Sequence, residues 1–116
     1  MSRDNASLLD IYRAGQQAVS YAEGLDRRKL EADGMCVSAV LYQVLIIGEA
    51  TKRLSQKLRD EHPEIPWNNM AGMRDIVAHH YDEIDFGVLW NVLQFGIPDM
   101  LRKIQSLLPT ESDQEV

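Results

Sequence analysis

Val40-Leu41-Tyr42-Gln43-Val44-Leu45-Ile46-Ile47-Gly48-Glu49-Ala50 is the stretch that decides the fold. Apolar residues stand here at almost every position, so no two-residue alternation of a half-buried strand can be read into it. Extended in both directions, the pattern resolves into a helix from about Asp33 to Leu58. Cys36, Val40, Val44, Ile47, Leu54 and Leu58 trace one face, and Val37, Leu41, Ile46 and Ala50 widen it. A helix this apolar in its middle belongs at the centre of a bundle or in a subunit interface. Gly48 and Ala50 would let a neighbouring helix come close. Glu49 interrupts the apolar centre; Lys52 and Arg53, one turn on, are possible intrahelical partners, and a place in a site network is the alternative to facing water.

Working outward, residues 6–22 carry an apolar stripe (Leu8, Ile11, Tyr12, Gly15, Ala18, Val19, Ala22) with Asn5 or Ser7 as cap and Gly24 as stop. Residues 25–34 are charge-rich and predict a loop or short helical turn. Arg27-Arg28-Lys29 there is the only basic run, read either as a solvated turn or as an RNA-phosphate contact. Pro63 and Pro66 break the chain before a helix that starts near Trp67, with Met70, Met73, Ile76, Val77 and Tyr81 facing inward. A last helix runs from about Asp85, its N-cap, to Leu108, and Pro98 should kink it. Residues 109–116 form a polar tail expected to fray. An all-α bundle of four to five helices in a single domain over residues 1–116 is the expectation.

Composition sets bounds on function. The 116 residues suffice for one core, and 45% hydrophobic with 26% charged residues is ordinary for a soluble protein. No unbroken apolar run approaches the length of a membrane span, and the first residues carry no apolar block of a secretory signal. With the lone Cys36, read as a small core hydrophobe, this points to the cytoplasm. A net charge of −6 excludes a broad basic face for nucleic acid, so any contact with RNA must be local.

The chemistry concentrates in Gly72-Met73-Arg74-Asp75-Ile76-Val77-Ala78-His79-His80-Tyr81-Asp82-Glu83-Ile84-Asp85. Arg74 offers a permanently charged fork for phosphate, and His79 and His80 offer proton transfer near neutrality. Asp75, four residues before His79, is placed to hold its imidazole in one tautomer. Arg74 and Tyr81 share a face, whereas Arg74 and His79 diverge by about 140° around an ideal helix. They cooperate only if the helix loosens or a second copy supplies half of the site. The set suits metal-independent phosphodiester cleavage. A metal site competes, although no HExxH-like spacing puts ligands on one face; on residue types alone, a polar helix end with surface histidines also fits. Trp67 and Trp90 read as packing aromatics before base-stacking platforms, and His62 as a loop residue.

Ile47 to Ser55, Pro63-Glu64-Ile65-Pro66-Trp67, the Arg74 to Tyr81 segment and Ile84-Asp85 with Val88-Leu89-Trp90 resemble, in order and spacing, the HepT-like family of HEPN-domain proteins. The resemblance spans roughly residues 5–108. It implies a homodimeric helical bundle that acts as the ribonuclease toxin of a toxin–antitoxin system. It also implies a minimal nucleotidyltransferase antitoxin as partner, RNA as substrate, and no cofactor or metal. The family motif is arginine, four residues, histidine, one residue, tyrosine. By that match Arg74 and His79 are catalytic and Tyr81 accepts AMP from the antitoxin; the residue pattern itself adds Asp75, His80 and Glu49 in support. Asp75 departs from the asparagine common after the motif arginine, and His80 adds a second histidine beside the motif one. A non-catalytic binding subunit for a nucleotidyltransferase and a purely structural helical dimer are the competing readings.

Overall fold

A computed structural model describes residues 2–80 and 83–109, without the side chains of Ile76, Ala78, His79 and His80. Among these residues the chain is helical throughout, with no strand. Helix α1 spans Arg3–Ala22 and begins one turn earlier than its apolar stripe suggests. Ser2, not Asn5 or Ser7, is its N-cap: the Ser2 hydroxyl accepts from the Asn5 amide at 3.0 Å. Gly24, at φ +79°, takes the left-handed turn that ends it. Asp26 then caps the short α2 (Arg27–Ala32), and Asp33 caps α3 (Gly34–Lys52).

The helix expected to run to Leu58 ends at Lys52. The cause is Ser55. Its amide and hydroxyl both donate to the Asp4 carboxylate at the start of α1, at 2.9 and 2.6 Å, while its oxygen accepts from the Leu58 amide. A serine so engaged is an N-cap, and it starts a separate α4 (Gln56–Glu61). Arg59 of that helix reaches back to the Thr51 carbonyl at 2.6 Å, satisfying one of the acceptors that the end of α3 leaves open.

Helix α5 covers Trp67–His80, directly after Pro66, and α6 covers Phe86–Asn91 with Asp85 as its cap, as its sequence predicts. A π-helical turn, Val92–Gly96, links α6 to α7 (Ile97–Gln105), and the Ile97 amide donates to the Val92 carbonyl five residues back. Pro98 therefore enters in the first turn of α7, and the widened turn ahead of it gives the proline ring room in an otherwise continuous helix. Of the tail expected to fray, residues 109–116, Pro109 is instead buried, and residues 110–116 lie outside the described residues.

Helix α3 is the centre. It packs on α1 along one side and α5 along the other, and α7 closes over α1. Val40, Val44 and Ile47 of α3 are fully buried with Leu8, Ile11, Met70, Leu89, Leu93, Ile97, Met100 and Ile104. Each such side chain contributes about 1.5–3 kcal/mol on burial, an upper figure because unfolded chains already bury some of it. By length and composition α3 could cross a membrane, with a mean hydropathy of 1.5, and 39% of that stretch is buried. Its outer face stays uncovered, with Met35 87% and Tyr42 59% exposed.

Candidate active site at the seam of the third and fifth helices

The sequence of α5 orients it firmly. Trp67, Met70 and Met73 recur at helical spacing and are all buried, and the Trp67 indole donates to the His62 carbonyl at 2.9 Å. With Met73 turned inward, the next residue, Arg74, falls on the seam with α3. The two backbones nearly touch there. A Cβ added to Gly48 would lie 2.6 Å from the Arg74 amide nitrogen and 2.7 Å from its Cβ. No side chain fits in that gap, so the close approach read from Gly48 is met by the start of the arginine itself.

Glu49, one residue after the closest point, forms an ion pair with Arg74 through the arginine Nε. The intrahelical partners expected of Glu49, Lys52 and Arg53, are both exposed. The partner is across the seam because the tight crossing brings Arg74 to the edge of α3. Both side chains are about two-fifths exposed, so this is a solvent-touched pair at the rim of the core and not a buried one. A guanidinium offers five N–H donors in a planar fork. Engagement at Nε uses one edge and leaves the Nη1–Nη2 edge as the geometry for a second, bidentate acceptor.

Asp75 is exposed, turned away from the core. His79 and His80 form the last turn of α5, and the backbone is α-helical through both. The offset of about 140° between Arg74 and His79 therefore holds along the backbone. The side chains of the two histidines, and with them the Asp75–His79 pairing, lie outside the described residues, as does Tyr81. Of the sequence-derived site residues, Arg74 and Glu49 are thus brought into contact. Among the described residues no three His, Cys, Asp or Glu side chains gather as a metal site.

Among the remaining candidates, Cys36, Trp90 and His62 have structural partners. Cys36 donates to the Tyr21 carbonyl at 3.2 Å; burial, and then the Asp33 carboxylate, push its thiol up, away from a reactive thiolate. Trp90 is half-buried against the core, and His62 ends α4 with its Nδ1 3.5 Å from Glu64. The basic run is exposed on α2. There Arg27 lies 3.9 Å from Glu31, and its guanidinium would be 3.4 Å from a Cβ on Gly87 of α6. Sequence reading missed the Asp4–Ser55 and Arg59–Thr51 ties. A serine, a preferred helix cap, standing just after the long apolar helix is the signal that could have marked the first.

Residues 11–107 match the family described as ribonuclease HepT-like. A Thermococcus cleftensis protein named as a probable ribonuclease HepT is 35% identical over 78% of this chain and 86% of its own length. A Methanocaldococcus jannaschii protein named as a putative RNase is 28% identical over 86% of this chain and 92% of its own. Another so named, from Caldanaerobacter subterraneus, is 28% identical over 80% of this chain and 83% of its own. No solved structure matches.

Proposed function

The chain belongs to the ribonuclease HepT-like family, and from that premise we propose that it is a metal-independent RNA endonuclease built around Arg74 and His79. The 2′-hydroxyl of RNA attacks the adjacent phosphorus, the 2′-O–P bond forms and the P–O5′ bond breaks. His79 moves the proton, which ends on the leaving 5′-oxygen, and the open edge of Arg74 takes the charge that builds on the phosphoryl oxygens. Asp75 orients His79, and His80 stands by as a second proton carrier. The observation that carries this reading is the ion pair that ties the Arg74 Nε to Glu49 at the rim of the core, with the guanidinium still about two-fifths exposed. The relatives' names as ribonucleases point the same way.

The working unit is a homodimer. Arg74 and His79 diverge along one α5, and the uncovered apolar face of α3 gives a second copy a surface to bury. The setting is the cytoplasm, as the toxin of a toxin–antitoxin pair. A minimal nucleotidyltransferase antitoxin silences it: the Tyr81 hydroxyl attacks the α-phosphorus of ATP, pyrophosphate leaves, and AMP remains on the tyrosine. Tyr81 follows Arg74 by seven residues in the sequence, two helical turns, so an anion on it would compete for the phosphate-binding edge.

Arg74→Ala and His79→Ala should each lower RNA cleavage by about a thousandfold or more, with wild-type activity intact in EDTA. Mixing the two inactive variants should restore part of the activity if each site draws on both copies. Co-expression with a nucleotidyltransferase should add AMP-sized mass that Tyr81→Phe loses. A second reading, a non-catalytic binding subunit for a nucleotidyltransferase, is favoured by the net charge of −6. It prevails if the pure, unmodified wild-type chain cleaves no RNA.

A further inference from the structure

Among the acids and bases of the described residues, Glu49 stands apart. It interrupts the most apolar helix of the chain, yet it neither caps a helix nor pairs within its own. Its partner Arg74 begins where the backbone of α5 closes on Gly48 of α3. We propose that Glu49 is the positioning residue of the phosphate-binding arginine, holding Arg74 by its Nε edge so that the Nη1–Nη2 edge is presented to the substrate. This deepens the ribonuclease reading and rests on it.

The argument is geometric and electrostatic. Gly48 fixes how far α3 stands from α5, because its missing side chain is filled by the Arg74 amide, Cα and Cβ. Glu49 follows by one residue, so the carboxylate is delivered at a fixed height along the arginine side chain. An arginine free at a surface has many rotamers, and a phosphate that binds it must order them. Pairing at Nε removes that disorder before substrate arrives. The carboxylate also offsets part of the arginine charge, so the hold favours orientation over raw affinity for anions. With both groups about two-fifths exposed, solvent screens the pair, and a phosphate can join it without first breaking it.

The test separates orientation from binding. In Glu49→Ala, kcat for RNA cleavage should fall about 10- to 100-fold, the scale of a displaced catalytic group. KM should stay level or fall, since Arg74 then carries its whole charge. Glu49→Gln retains an oxygen acceptor at the same reach and should lose less kcat than the alanine variant. Unfolding midpoints checked alongside should stay close to wild type, because the pair lies at the rim. An unchanged kcat, or a rise in KM with kcat intact, overturns the proposal. A second readout does not involve RNA: the Nε–H resonance of Arg74, assigned through Arg74→Lys, should exchange slowly with water in the wild type and at least about tenfold faster in Glu49→Ala. Rapid exchange in the wild type sinks the positioning role while leaving the ribonuclease reading untouched. A protected Nε–H in a chain that cleaves no RNA sinks the ribonuclease reading instead, and the catalytic role of Glu49 with it.

Discussion

Two glycines in this molecule stand where helices crowd together, and their surroundings differ in kind. A Cβ on Gly15 of α1 would meet the Met100 Cε at 2.9 Å, the Leu101 Cδ2 at 3.0 Å and the Ile97 Cγ2 at 3.2 Å. The two nearest are the far ends of side chains, able to turn aside, and only the Ile97 methyl, the most distant of the three, sits close to its own backbone. A Cβ on Gly48 of α3 would meet the amide nitrogen, Cβ and Cα of Arg74 at 2.6, 2.7 and 3.1 Å. None of those atoms moves unless the whole of α5 moves. The α1–α7 seam is therefore ordinary core, adjustable by repacking, whereas the α3–α5 seam sets a register. The register is what the candidate site depends on, because the residue pinned by it is Arg74, the arginine proposed to bind phosphate.

Gly48→Ala should break the second seam with the largest effect. Alanine gains about 1 kcal/mol of helix propensity over glycine, but overpacking against backbone costs about 3 kcal/mol or more. Urea unfolding should show that net loss. RNA cleavage should fall further than the unfolded fraction accounts for, because α5 must shift and carry Arg74 away from Glu49. A variant as stable and as active as wild type would show that α5 slides freely, and the contrast between the seams would be gone.

Gly15→Ala should move stability by about 1 kcal/mol at most, in either direction, since the propensity gain and the displacement of Met100 nearly cancel. The sharper form uses Met100→Ala, which alone should cost about 2–5 kcal/mol by opening a cavity. In that background the added methyl of Gly15→Ala enters the vacated space, and the pair should recover part of the loss, of order 1 kcal/mol of coupling. Strict additivity would mean that Met100 does not fill the space over Gly15.

How much of this was legible in the residues follows the same division. The bundle, the start of α3 near Asp33, the cap Asp85, the stop at Gly24 and the close approach at Gly48 are written locally, in spacings of three and four and in residues with one conformational use. The partner of Glu49 is not. Lys52 and Arg53 are nearer in sequence, and only the crossing of two helices makes Arg74 nearer in space. The early end of α3 escaped notice for the same reason: Leu54 and Leu58 keep the helical period, and what cuts the helix at Ser55 is an aspartate that the chain brings back from α1. The assignment of Arg74 and His79 rests on the motif and remains a proposal, and their offset along α5 follows from helical geometry.

An effect of similar size is expected from that returning aspartate, and it bears on whether the two seams are independent. Asp4 ties the start of α1, the helix of the adjustable seam, to Ser55, just beyond the helix of the fixed one. The bond from the Ser55 hydroxyl, helped by the Ser55 amide and the charge of Arg3, holds the Asp4 carboxyl below the usual aspartate range. A folded-state pKa below the unfolded one stabilises the fold above the unfolded value, and the contribution disappears as pH falls through the folded value. Stability should therefore decline across the acid range below about pH 4, and Asp4→Asn should flatten that part of the profile while lowering stability at neutral pH by about 1 kcal/mol. If the seams are independent, the Arg74 Nε–H should stay as protected in Asp4→Asn as in the wild type, and cleavage per folded molecule should be unchanged. A loss of protection at Arg74 would mean that α1 pulls on α3, so that the register of α5 is held from the far side of the molecule as well as by Gly48.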